Sequence, residues 1–131
     1  MGLSKEVLEG INKEFGGSVR YDAAVSLPQA NRAGNGAPAA RLEHALDAGE
    51  GKGLYRRIAL LWRAILVGHP FTDGNKRTAL AVACVLLQEA GTLTDGTVQE
   101  RLMDELLLIA KESLEDIPRI ERRVKYAAEE R

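Results

Sequence analysis

Two consecutive stretches decide how this chain folds: Leu54-Tyr55-Arg56-Arg57-Ile58-Ala59-Leu60-Leu61-Trp62-Arg63-Ala64-Ile65-Leu66-Val67-Gly68, then His69-Pro70-Phe71-Thr72-Asp73-Gly74-Asn75-Lys76-Arg77-Thr78. In the first, Leu54, Ile58, Leu61, Trp62, Ile65 and Leu66 recur at i, i+4, i+7, i+8, i+11 and i+12, the stripe of an amphipathic helix. Pro70 disfavours helical angles at His69, so this helix is expected to end at about Gly68. A second strong helix begins near Asn75, a residue type favoured at N-caps, and runs through Leu80, Val82, Ala83, Val85, Leu86 and Leu87 to Gly91. It is apolar nearly all round and is therefore expected at the centre of the fold.

Outward from this pair the pattern stays helical. Leu3, Val7, Leu8 and Ile11 mark a short amphipathic helix over residues 3–14, stopped by Gly16-Gly17. Residues 16–37 carry glycines, Pro28 and asparagines with only brief apolar pieces, which reads as loop, with Val19-Arg20-Tyr21 as a short strand or flap. Pro38 opens a helix with Leu42, Ala45 and Leu46 on one face, ending at Gly49. Asp95 precedes another, with Val98, Leu102, Leu106, Ile109 and Ala110 in register to Ser113. Asp116 and Pro118 open a terminal helix over residues 117–129, in which Ile120 and Val124 face inward and Arg119, Glu121, Arg122, Arg123 and Lys125 form a mixed-charge surface. The expected fold is a single all-α domain over residues 1–131, a compact bundle of about six helices.

Composition narrows the function classes. Eighteen basic against 19 acidic residues give a net charge of −1, which argues against a nucleic-acid module relying on bulk charge. Cys84 is the only cysteine and lies in an apolar helical run, so it reads as a small core residue. The residues Met1 to Glu6 lack the apolar core of a signal peptide, and no apolar run is long enough to span a membrane. A soluble, cytoplasmic protein is expected. Arg56, Arg57 and Arg63 fall off their helix's apolar stripe and are expected to face solvent, with His44 a half-buried surface histidine.

The loop between the two strong helices carries the chemistry. Lys76 and Arg77 fall in the first turn of a helix, where the macrodipole is already positive. Such a placement is unfavourable by about 0.3–1 kcal/mol per charge unless an anion binds there. A helix start with free N–H donors, a preceding glycine and two cations describes a phosphate site. It is not a P-loop, because Gly68 and Gly74 enclose five residues, Asn75 separates Gly74 from Lys76, and a helix rather than a strand precedes it. Zinc is equally unsupported with only His44 and His69 as histidines. His69 is of the type that accepts a proton near neutrality, and Asp73 is a hard oxygen ligand of the kind that holds Mg²⁺ together with substrate phosphates. Pro70 and Phe71 stiffen and anchor the loop. The residues alone favour an anion site over a plain helix–loop–helix connector and leave catalysis open.

His69 to Arg77 resembles the signature of the Fic/Doc family, His-Pro-Phe-x-Asp/Glu-Gly-Asn-Gly/Lys-Arg, at every defined position. The family's helical fold has the same order of helix, motif loop and buried helix. The resemblance implies that His69 is the base for a Ser, Thr or Tyr hydroxyl of a target protein. It places Mg²⁺ on Asp73, the nucleotide phosphates of ATP on the nest of Gly74, Asn75 and Lys76, and a phosphate on Arg77. Lys76 stands where AMP-transferring members usually carry glycine. Lysine there is similar to Doc (death on curing), the toxin that phosphorylates a translation elongation factor and is restrained by a small antitoxin. Phosphoryl transfer, as the toxin of a toxin–antitoxin pair, is thus the first expectation, with His69, Lys76 and Arg77 in the catalytic machinery. AMP transfer is the close alternative, since Pro70 and Gly74 follow the Fic pattern. A non-catalytic phosphate- or partner-binding helical module is a third. The family's self-inhibitory Ser/Thr-x-x-x-Glu-Gly/Asn helix is not met, because Lys5 stands in the hydroxyl position before Glu9-Gly10; Glu9 reads as a helix-surface residue. The family's target-docking flap would fall at residues 17–30, with Arg20 and Tyr21 as candidates.

Overall fold

Ser4 starts the first helix: its hydroxyl oxygen accepts from the Val7 N–H at 3.2 Å, an N-cap that satisfies one of the donors a helix start leaves unpaired. The computed structural model describes residues 4–11, 37–71, 74–92 and 94–129. Over these the chain is helical throughout, in the order α1 (Lys5–Ile11), α2 (Ala37–Ala48), α3 (Leu54–Leu66), α4 (Asn75–Glu89), α5 (Gly96–Glu112) and α6 (Ile117–Glu129). Over the described residues the fold is all-α with six helices, in agreement with the all-α bundle of about six helices expected from the sequence. The strand or flap expected within residues 17–30 lies outside the described residues.

The hub is α3, not α4. It packs against α2, α4, α5 and α6, and Ile58, Trp62 and Ile65 are fully buried. Each such side chain stabilises the fold by about 1.5–3 kcal/mol relative to exposure. Helix α4 buries one face, Thr78, Ala79, Val82, Ala83, Leu86 and Leu87, while Leu80, Ala81, Cys84 and Val85 are only half-buried. Apolar composition all round the helix suggested a central position; what decides burial is the number of neighbours, and α3 has them. Trp62 fastens the two helices together, its indole N–H donating to the Ala79 carbonyl at 2.8 Å in the buried interior.

Helices α5 and α6 complete the same core with Leu102, Leu106, Ile109, Ile120 and Val124. Their starts are capped by Asp95, accepting from the Val98 N–H at 3.0 Å, and by Asp116, accepting from the Arg119 N–H at 3.1 Å. Arg56 and Arg63 do not simply face solvent. The Arg56 guanidinium meets Glu121 of α6 at 2.7 Å, and Arg63 donates to the Glu115 carbonyl at 3.4 Å. Arg123 of the terminal helix is held in turn by Glu112 at 3.3 Å. Glu9 is half-buried rather than on the surface, and His44 is exposed rather than half-buried.

Candidate functional site

Helix α3 ends at Leu66, with Val67 as its C-cap, within the one or two residues by which helix ends are uncertain. The His69 N–H still donates to the Ile65 carbonyl at 3.2 Å, but His69 itself takes a left-handed φ of 49°. That conformation is unusual for a residue with a Cβ and carries a cost of order 1 kcal/mol or more. It turns the chain out of the helix and leaves His69 exposed, where an imidazole can meet a hydroxyl. Gly68 is required just before it, because a Cβ there would collide with the Ala64 carbonyl oxygen.

Phe71 is buried, 4 % exposed, and anchors the far side of the turn in the core, as its place in the loop implied. Asn75 then closes the loop. Its side-chain oxygen accepts from the Phe71 N–H at 3.2 Å, and its side-chain nitrogen donates to the Phe71 carbonyl at 2.9 Å. The N-cap of α4 is therefore Gly74, in the left-handed conformation at φ 78° and ψ 17°, a residue with no side chain of its own to cap the helix. Asn75 is the first helical residue. The preference of asparagine for N-caps pointed one position too far along. A left-handed glycine makes a better turn into the helix here, and it frees the asparagine amide to brace the loop.

The consequence is an open helix start. The backbone N–H groups of Asn75, Lys76 and Arg77 fall in the first turn, where no intrahelical acceptor exists, and the glycine at the N-cap has no side chain to meet them. Lys76 and Arg77 are both exposed. Among the described residues neither forms an ion pair. Charge, dipole and donors all favour an anion at this point. Asp73 and Thr72 lie outside the described residues, so the metal-ligand expectation at Asp73 rests on the sequence. Among the described residues no group of three or more His, Cys, Asp or Glu side chains converges on a metal position. A Mg²⁺ held by one carboxylate and substrate phosphates does not require such a group.

Burial pushes the Cys84 thiol up from its ordinary value, which disfavours the nucleophilic thiolate and agrees with a packing role. No helix of the described residues is long and apolar enough to cross a membrane.

The fold is thus a helical domain that presents a histidine on a left-handed turn, followed by a helix start with a glycine N-cap and two exposed cations. A sequence model of the Fic/DOC family matches residues 3–87, and the chain belongs to that family. No curated protein and no solved structure matches it. The matched span covers α1 to most of α4 and includes the whole loop. Family members act on protein targets, transferring AMP or a related group from nucleotide to a hydroxyl.

Proposed function

We propose that this chain is a single-domain transferase that uses Mg²⁺–ATP to phosphorylate a Ser, Thr or Tyr hydroxyl of a target protein. The observation that carries the reading is the glycine-started α4, where Lys76 and Arg77 have no ion-pair partner among the described residues and lie beside first-turn N–H donors just beyond the exposed His69. In this reading the first-turn N–H groups, Lys76 and Arg77 hold the nucleotide phosphates. Asp73 would hold Mg²⁺, which when bound would further neutralise the phosphate charge. His69 takes the proton of the attacking hydroxyl as its oxygen bonds to the γ-phosphorus, and the bond from that phosphorus to the β–γ bridging oxygen breaks to release ADP. Fixed charges at the site of charge movement are the main source of acceleration in such transfers.

Lys76 supports phosphoryl transfer because a side chain there adds volume and charge to the nest, altering where the phosphates sit. A toxin role against translation, with a small antitoxin as restraint, extends the same likeness to Doc. The left-handed Gly74 favours a second reading, AMP transfer. A residue without Cβ lets the α-phosphate approach the backbone closely, and attack there would release pyrophosphate.

ATP labelled at the α or the γ phosphorus, incubated with candidate target proteins, separates the two. Label from γ is expected, with none in His69→Ala. Label from α alone would replace the first reading by the second. Transfer of neither, with phosphate still raising the melting temperature, would leave a non-catalytic binding module.

A further inference from the structure

We infer that the cleft between α2, the end of α3 and the α5–α6 connection is a second oxyanion site, separate from the start of α4 and independent of the transfer reaction proposed for it. Its ligand is a phosphate monoester or carboxylate carried on a small apolar body. Arg41 and His44, three apart on α2, share one helix face. Together with Arg63 from the last turn of α3 they line a pocket of about 310 Å³, the lower end of the range for small-molecule sites, roughly 300–1,000 Å³.

Among the described residues Glu115 is the only acidic one lining this pocket, and it does not neutralise these groups. Arg63 donates to the Glu115 backbone carbonyl, and no ion pair forms with the carboxylate. Among the described residues Arg41 and His44 have neither a hydrogen-bond nor an ion-pair partner. The contrast with Arg41 lies within the molecule: Arg56, Arg63, Arg101 and Arg123 are each held by a carboxylate or a carbonyl. Two guanidinium groups facing one cavity repel each other until a shared oxyanion bridges them, and their planar forks suit carboxylate or phosphate. Beneath them Leu60 and Ala64 are buried and supply an apolar floor. Gly68 also lines the cleft, so an occupant touches the residue that leads into His69.

Amide NMR of the full chain, titrated with phenyl phosphate, inorganic phosphate and benzoate, tests the site. Saturable shifts at His44 and Gly68 are expected at millimolar concentration, with phenyl phosphate binding more tightly than inorganic phosphate because of the floor. A preference for phenyl phosphate over benzoate, or the reverse, identifies which oxyanion the cleft takes. Arg41→Gln removes an exposed, unpartnered side chain, so the fold is retained. It should weaken binding at His44 and Gly68 about tenfold, the loss of one charge-assisted pair, with shifts at Asn75 to Arg77 unchanged. Arg63→Gln should do the same. Shifts confined to Asn75–Arg77 with all three probes, or unaltered binding in Arg41→Gln, would overturn the inference and leave the reading of the α4 start intact.

Discussion

Helices α3 and α4 begin alike and are answered differently. Each has a glycine N-cap with no side-chain cap, Gly53 and Gly74, and each carries two cations in its first four residues, Arg56 and Arg57 or Lys76 and Arg77. At α3 the compensation is internal. Glu121 of α6 pairs with Arg56 at 2.7 Å, and Glu129 accepts from the Tyr55 hydroxyl at 2.8 Å. Partial burial, then that hydrogen bond and the Glu129 charge, push the Tyr55 phenol up to about 12. At α4 no carboxylate among the described residues plays this part. An unfavourable helix start is therefore not in itself a functional site; one left unanswered by the rest of the fold is a candidate for one.

The sharpest way to break the comparison is Arg77→Gln. Transfer should fall a hundredfold or more, about the loss seen when one fixed donor to a developing charge is removed. The ligand-free protein should keep its stability or gain up to about 1 kcal/mol, because a cation has left the positive end of a helix. Full activity, or a marked loss of ligand-free stability, would mean that α4 is compensated internally after all. Next in size, Asn75→Ala removes both hydrogen bonds to Phe71 and should lower unfolding free energy by about 1–3 kcal/mol. Hydrogen exchange should quicken at the Phe71 amide; an unchanged exchange rate would deny the brace.

Arg56→Gln probes the internally answered start. Its side chain is 41 % exposed, so the expected loss is at most about 1 kcal/mol and shrinks with added salt. The melting-temperature rise given by nucleotide should be the same as in the parent chain. Smallest is Gly53→Asp. Gly53 has extended angles, φ −68° and ψ 166°, and open space for a Cβ. A carboxylate there should cap α3 and add a few tenths of a kcal/mol, up to about 1. A loss in denaturant melts would contradict the account of that start.

Periodicity made the helices legible, and the loop residues were legible as a group because their types and order carry phosphate chemistry. Local reading failed where a partner lies far along the chain. Nothing near Arg56 announces Glu121, and the off-stripe position of Arg63 hides the Glu115 carbonyl it reaches. It failed again at Asn75, where a statistical preference for capping competed with a bond four residues back to Phe71. The rank of α3 over α4 was hidden for a related reason, since composition records how apolar a helix is and not how many helices surround it. The basic cleft of Arg41, His44 and Arg63 had no linear signal, because its walls come from two helices and a connection.

Trp62 is the only tryptophan in the chain, and its indole is buried and hydrogen-bonded to the second turn of α4 through Ala79. The protein thus contains an intrinsic fluorophore joined directly to the element that begins with Lys76 and Arg77. Any shift of that turn changes the indole's polarity and hydrogen bonding. Emission excited in this one residue is a label-free optical record of what happens at the loop, readable in stopped flow without altering a single side chain.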